Sequence, residues 1–444
     1  MKKIYLIGIG GIGISAIARY YKKMGWKVLG SDKYGSELTD KLKSEGIDII
    51  IGEDEKRITN YINLVVYTEA IPREQSELSK SLNIGIKTIN YSESLGEIAN
   101  EKKLIAIAGS HGKSTTSSLT AIMLKNSKLG VNAVIGTLLK EFNNKNCSYS
   151  DSDYFVIEAC EYKRSFLKYT PYIGVITNID LDHLDYYKDL EDYESAFKSF
   201  LDNIKSGGYA ILNGNCDSSK KLLGLRNDIN YIIINENNFY LIDINKTTTN
   251  YNYPNIKLQV PGEHILFDAK IAYTIGKILN LNNDEILKSL ENYTGVRRRS
   301  EVIGKTLNGN ILMSDYGHHP TEIKYTLDAL KEKNKDTKLF VVFQPHQYSR
   351  TLNLIEGFKN CFSSADYLII PNIYESRDTK EDKEKINSKK LIELINHSNK
   401  KDGENMENTL NLINDYDLKN PNSSIILLLG AGNVDDLRYK IKLK

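Results

Sequence analysis

Cysteine, proline and tryptophan are all scarce in this chain of 444 residues, which has 4 Cys, 8 Pro and 1 Trp. The cysteines are Cys147, Cys160, Cys216 and Cys361, and none form a Cys-x-x-Cys pair. The sequence therefore indicates neither a zinc site nor a dithiol redox motif. No apolar run approaches the ~20 residues that a membrane helix needs. The N-terminal apolar run ends at Ile9, where glycines interrupt it, so no secretory signal peptide is expected. Charge of one sign is also missing. With 59 basic and 57 acidic residues the net charge is +2, which gives no bulk electrostatic pull toward nucleic acid or a membrane. These absences lead us to expect a cytoplasmic protein with small-molecule partners and no membrane insertion, either a monomer or a homodimer.

Hydrophobic residues make up 41% of the chain and charged residues 26%, with a mean hydropathy of -0.39. That is a globular profile, and the length suggests about three domains. A first unit, 1–100, opens with the strand Ile4–Ile7, a glycine-rich turn and a helix through Met24. Strand runs follow at Val28–Asp32, Ile47–Ile51 and Leu64–Tyr67. Glu101-Lys102-Lys103 reads as a short linker. A second unit, 101–294, carries buried strands at Leu104–Ala108, Tyr154–Ile157 and Tyr172–Thr177. Its Asn-, Thr- and Tyr-rich stretch 235–255 reads as edge strands and loops. A third unit, 295–444, has strands at Ile311–Met313, Leu339–Phe343, Tyr367–Ile370 and Ile425–Leu429. The charge-dense run from Arg377 to Lys390 reads as a solvated helix or loop. Strands alternating with helices predict parallel α/β sheets throughout.

The stretch Gly109-Ser110-His111-Gly112-Lys113-Ser114-Thr115-Thr116 lies between a strand and a helix. That is the layout of a phosphate-cradling loop, in which backbone N–H groups and a helix N-terminus face the anion. Lys113 would reach the terminal phosphates and Ser114 would ligate magnesium. The first glycine of the usual pattern falls on Ile107, so an ordinary strand-to-helix turn remains the alternative. Gly8, Gly10 and Gly13 fit G-x-G-x-x-G after a strand, with Asp32 closing the next one. The pattern suits a diphosphate-containing ligand or a purely structural tight turn. A second nucleotide loop argues against a simple nicotinamide oxidoreductase.

Polar residues past strand ends are the remaining candidates. Glu158 follows one strand, and Asn178 to Asp185, with His183 among acids, follows another. Oxygen ligands at Glu158 and Ser114 would suit magnesium, and a neutral His183 could hold a second divalent ion. Arg297-Arg298-Arg299 could stabilise a transferring phosphoryl group or be a solvated turn. Asp315, His318, His319, His346 and Arg350 could orient a small zwitterion.

Gly8-Ile9-Gly10-Gly11-Ile12-Gly13, Ser110-His111-Gly112-Lys113, Thr177-Asn178-Ile179 and Asp182-His183-Leu184-Asp185 occur in that order. Asp315-Tyr316-Gly317-His318-His319-Pro320-Thr321-Glu322 and Phe343-Gln344-Pro345-His346-Gln347-Tyr348-Ser349-Arg350-Thr351 follow. Together they resemble the Mur ligase family over nearly the whole chain. The resemblance implies an α/β protein of three domains: N-terminal Rossmann-like, central P-loop ATPase-type and C-terminal Rossmann-like. It implies an ATP-dependent ligase that joins L-alanine to the lactyl carboxylate of UDP-N-acetylmuramate. It places Gly109, Ser110, His111, Gly112, Lys113, Ser114 and Thr115 on ATP, and Ser114, Glu158 and His183 on magnesium. Gly10, Gly11, Gly13, Ser15, Asp32 and Thr68 fall on the UDP-sugar. Lys113, Glu158, His183, Arg299 and Asp315 fall at the chemistry, and His318, His346 and Arg350 on the amino acid or product. The chain departs from the family pattern at Ile265 and Asp268, where two asparagines are usual, and at Glu53, Ser300 and Ser314. A ligase for another amino acid or a peptide, and a non-catalytic UDP-sugar-binding paralogue, are the alternatives.

Overall fold

The computed structural model describes residues 1–260, 262–376 and 378–444 and arranges the apolar runs as three sheets. The first sheet holds β1 (Lys3–Ile7), β2 (Lys27–Asp32), β3 (Asp48–Ile51), β4 (Leu64–Tyr67) and β5 (Thr88–Asn90). All pair in parallel, in the order β3-β2-β1-β4-β5. The second sheet holds β6 (Lys103–Ala108), β7 (Asn132–Leu139), β8 (Lys145–Ser148), β9 (Tyr154–Glu158) and β10 (Ile173–Ile176). It continues through β11 (Tyr209–Asn213), β12 (Asn230–Ile234), β13 (Asn238–Ile242) and β14 (Thr248–Asn252). Its order is β14-β13-β12-β11-β10-β6-β9-β7-β8. The third sheet holds β15 (Glu301–Lys305), β16 (Ile311–Asp315), β17 (Lys338–Phe343), β18 (Tyr367–Ile370), β19 (Lys400–Asp402) and β20 (Ser424–Leu429). Its order is β15-β16-β20-β17-β18-β19, parallel except for β15.

The chain packs as two compact units. One comprises Met1–Asp180, Glu191–Ile256 and Asp268–Leu290 and carries the first two sheets. The other comprises Leu181–Leu190, Lys257–Phe267 and Glu291–Lys444 and carries the third.

Central strands read as unbroken apolar runs because both of their faces are covered. In the third sheet Val341, Phe343, Leu427 and Leu429 enter one core cluster, while Phe340, Val342, Ile426 and Leu428 enter the cluster on the opposite face. Helix Ile12–Lys23 buries Ile14, Ile17, Ala18 and Tyr21, the i, i+3, i+4, i+7 stripe of a helix lying on a sheet. Helix Lys113–Asn126 is buried from Ser114 to Leu124, and its serines and threonines let it sit inside the structure.

The expected edge strands in 235–255 are β13 and β14, and all five residues of β14 are exposed. Lys103 opens β6, so the linker is shorter than the sequence suggested. Within the charged run, Lys380–Lys385 is a helix with no buried residue, and Arg377 lies outside the described residues.

The topology sets where ligands can approach. Each sheet has a point at which the strand order reverses, and pockets in open α/β sheets form beyond the strand ends there. In the first sheet that point lies between β1 and β4, whose ends are followed by Gly8 and Thr68. In the second it lies around β6, flanked by β9 and β10.

Candidate nucleotide and substrate sites

Beyond β6 the chain turns at Gly109, with φ of +131°, and at Gly112, with φ of +81°. Both glycines are required by their surroundings. A Cβ at Gly109 would meet Thr177 Oγ1 at 2.0 Å, and one at Gly112 would meet Asp268 Oδ1 at 2.5 Å. Neighbouring strand ends fix the loop. The Asn178 side chain accepts from His111 N at 2.9 Å, Ser110 Oγ donates to Asp180 O at 2.7 Å, and Thr177 Oγ1 donates to His111 O. The His111 ring meets the Asp180 carboxylate at 3.1 Å. Thr115 is buried in the first helical turn.

Lys113 Nζ lies over this loop. It donates to Gly109 O and Ser110 O and pairs with Glu161 at 3.0 Å. Burial would lower its pKa, but Glu161, with Cys160 and Glu158 behind it, outweighs burial and raises it, so the ammonium stays charged. Ser114 Oγ donates to Glu158 Oε2 at 2.9 Å, and Gly136 N reaches the same oxygen at 3.2 Å. The structure therefore brings Lys113, Ser114 and Glu158 together at one loop, as their strand-end positions predicted. Glu161 and Asp268 complete it. Neither was expected there, because only the fold brings them to the loop.

In the first sheet the glycine turn is tied to β2. Gly8 N and Ile9 N both donate to Ser31 O, at 2.9 and 3.0 Å, and Gly10 N donates to Asp32 Oδ2 at 2.7 Å. Gly10 and Asp32, both expected on the UDP-sugar, thus hold each other. Gly11 precedes helix Ile12–Lys23, and no side chain caps that helix. Thr68 packs on Gly8, where a Cβ would meet its Cγ2 at 2.7 Å. Gly13 lies under the ring of Tyr91. Ser15 is fully buried, donating to Ile12 O and accepting from Asn146 Nδ2.

Family models match three successive parts of the chain: the Mur ligase family catalytic domain at residues 3–103, the Mur ligase middle domain at 107–283, and the Mur ligase glutamate ligase domain at 298–432. The UDP-N-acetylmuramate–L-alanine ligase of Clostridium acetobutylicum is 40% identical over 98% of this chain and 96% of its own. The chain belongs to the Mur ligase family.

The ligase of the same name from Caldicellulosiruptor saccharolyticus is 36% identical over 98% of this chain and 97% of its own. Among solved structures, the UDP-N-acetylmuramate–alanine ligase of Thermotoga maritima covers 99% of this chain and 98% of its own, with a TM-score of 0.78 at 22% identity. A murein peptide ligase from Psychrobacter arcticus gives 0.69 at 20% identity, covering 99% of this chain and 98% of its own. These two structures share the fold. The three-sheet α/β architecture is thus that of Mur ligases.

The compact unit of this Mur ligase that holds the third sheet carries the other candidates. Gly295, Arg298 and Ser300 are left-handed, with φ of +90°, +59° and +46°, and hold Arg299 in a tight turn. The Arg299 guanidinium lies over Tyr316 at 5.3 Å and 3.6 Å from Glu322. Arg298 covers the same ring at 4.8 Å and donates to Gly430 O and Gly432 O. Asp315, buried, accepts Ser300 N at 2.6 Å and Gly317 N at 2.7 Å. Burial raises its pKa against the pull of Arg299 and these N–H groups. Asp315 therefore joins the arginine turn to the histidine loop.

His318 Nδ1 donates to Tyr316 O, 3.2 Å away, and burial pushes its pKa down to about 3. His346 stacks on Tyr374 at 5.4 Å and meets His318 edge-on at 6.4 Å. The next residue, Gln347, has φ of +70°, a conformation costly for a side-chain-bearing residue. Arg350 pairs with Asp182 at 3.2 Å and donates to His183 Nδ1 at 3.2 Å. A guanidinium is only a donor, so that nitrogen accepts. Burial would raise the Asp182 carboxyl, but His183 and Arg350 outweigh it and hold it well below the usual carboxylate range. Asp182, Leu184, Asp185, Ser349, Arg350, Asn353 and Leu354 line a small depression there.

Proposed function

We propose that this Mur ligase joins L-alanine to the lactyl carboxylate of UDP-N-acetylmuramate at the expense of ATP, in peptidoglycan precursor synthesis. The observation that carries the reading is the 40% identity, along 98% of this chain and 96% of the relative, to a ligase of that name. A carboxylate does not condense with an amine unaided, because oxide is too poor a leaving group. Transfer of the ATP γ-phosphoryl to the lactyl carboxylate gives an acyl phosphate. The alanine amine then attacks the acyl carbon and phosphate leaves.

The phosphate loop supports this chemistry. Gly109 and Gly112 let the loop turn tightly against Thr177 and Asp268, and Lys113 is a charged donor for the β- and γ-phosphates. Ser114 and Glu158 offer two hard oxygens at 2.9 Å separation, a donor set that suits magnesium, with His183 assigned as a further ligand on the family pattern. Bound there, magnesium would neutralise phosphate charge. Arg299, rigidly held, is assigned to the γ-phosphoryl oxygens. The uncapped start of helix Ile12–Lys23, at Gly11 to Gly13, is assigned to the UDP diphosphate, with Thr68 alongside. Gly10, Asp32 and Ser15, also assigned to the UDP-sugar end, hold that turn together. Asp315 is assigned to the chemistry, near ATP and the amino acid, and His318, His346 and Arg350 to the amino acid and product. On this reading residues 1–100 bind the UDP-sugar, 101–294 bind ATP and 295–444 bring the amino acid.

Incubation with ATP, magnesium, UDP-N-acetylmuramate and a panel of amino acids and peptides tests the reading by mass spectrometry. The expected product is the L-alanyl adduct together with ADP. An adduct with a different amine, or UDP-sugar binding without ADP release, would replace it with one of the alternatives. Lys113→Ala is expected to abolish ADP release while UDP-N-acetylmuramate binding by calorimetry stays within about twofold of the parent.

A further inference from the structure

Tyr91 opens helix Tyr91–Ala99 directly after β5. A capping box fixes it there, with Asn90 Oδ1 accepting Glu93 N at 2.9 Å and Glu93 accepting Asn90 N at 3.1 Å. Its half-buried ring reaches across to the glycine turn. A Cβ on Gly13 would stand 2.8 Å from Tyr91 Cζ and 3.1 Å from the hydroxyl oxygen. The phenol therefore sits at the first turn of helix Ile12–Lys23. Facing it from the second sheet is Glu158, the carboxylate paired with Ser114. Burial first, then Glu158 and Cys160, raise the phenol pKa well above its ordinary value, so the O–H stays a donor at any working pH. Among the described residues that O–H has no hydrogen-bond partner.

We propose that the Tyr91 hydroxyl is a substrate contact that donates its hydrogen bond to the N-acetylmuramyl part of the UDP-sugar. The assignment rests on the UDP-sugar reading given above. The diphosphate end belongs at Gly11 to Gly13, and the reacting carboxylate belongs at the Ser114–Glu158 end. What separates those two ends in the substrate is the amino sugar with its lactyl ether, and in the protein Tyr91 packs on Gly13 and interacts electrostatically with Glu158. A half-buried phenol without a protein partner, placed there, supplies orientation and selectivity for the sugar. Neither the glycine fingerprint nor the phosphate loop includes this residue.

Calorimetric titration of the full chain with UDP-N-acetylmuramate, and separately with UDP, tests the assignment without turnover. Tyr91→Phe is expected to weaken UDP-N-acetylmuramate binding about tenfold, the loss of one hydrogen bond. UDP affinity, the KM for ATP and the melting temperature are expected to match the parent. Unchanged UDP-N-acetylmuramate affinity in the variant would overturn the contact. An equal loss for UDP would also overturn it, by moving the role to the diphosphate or to the fold. Failure of the parent itself to bind UDP-N-acetylmuramate, while it still binds ATP, would remove the UDP-sugar reading and this assignment with it.

Discussion

His318 and His264 are both held neutral by burial, with pKa values pushed down to about 3 and about 4. For His318, Arg350 and His346 add to the effect and Glu322 and Asp182 oppose it; for His264, Arg299 adds and Glu322 opposes. Both folded values lie below the ordinary imidazole value of about 6.5, so the stabilisation is complete above that pH and is lost as pH falls below it. At pH 5 each histidine costs about 2 kcal/mol relative to neutral pH. Urea unfolding at pH 7.5 and pH 5 is expected to show that loss, and His318→Asn to shrink it by about 2 kcal/mol. Gly112→Ala is expected to raise the KM for ATP more than tenfold, because the left-handed φ and the Asp268 contact both exclude a methyl group. Gly112 was legible from its spacing to Lys113. Asp268 was noted only as a departure from the family pattern, yet it accepts Thr116 Oγ1 beneath the loop at 3.0 Å. Local spacing reports what a turn needs, while the groups packed against it come from distant sequence.

The turn at 295–300 and the segment that braces it act as one element. Asp435 accepts Ser314 Oγ and lies 3.2 Å from Arg438, which pairs with Glu301. Glu301 in turn accepts Arg298 N at 2.9 Å. Asp435→Ala removes one of the two carboxylates beside the buried Arg438 guanidinium and the acceptor of Ser314 Oγ, and is expected to cost about 3 kcal/mol in urea unfolding. With Arg299 less firmly held, kcat is expected to fall about tenfold while UDP-N-acetylmuramate affinity is unchanged. Long apolar strands such as β17 and β20 were legible because burial on both faces leaves no polar interruptions. β5, only three residues long, and the β7–β8 pair, interrupted by Lys140 to Asn144, carry no such signature. The three-arginine run could be read as a phosphate site or a solvated turn. Its left-handed residues and the carbonyls receiving Arg298 became visible only with β20 in place.

Across the larger unit, the first two sheets are joined by a buried polar cluster. Arg19 is 3% exposed, chelates Glu45 and donates to Asn146 Oδ1 at 2.6 Å. Asn146 Nδ2 donates to Ile12 O and Ser15 Oγ, while Tyr20 OH reaches Asn132 at 3.3 Å. Arg19→Met is expected to destabilise the chain by about 3 kcal/mol. Arg19→Met combined with Asn146→Leu is expected to cost less than the sum of the single changes, which a double-mutant cycle in urea would measure. The alternation of strands and helices made all three α/β sheets legible, because each carries its own apolar runs. The cluster joining two of them was not, since Arg19 and Asn146 read as ordinary polar residues on a helix and a strand.

Tyr91 and Gly13 share one volume, so the order in which their codons can change is constrained. Gly13 does not need a left-handed backbone, and the phenol ring bars a methyl group there. A lineage that first trades the tyrosine for a smaller residue opens the glycine to drift, whereas the reverse order passes through an overpacked intermediate.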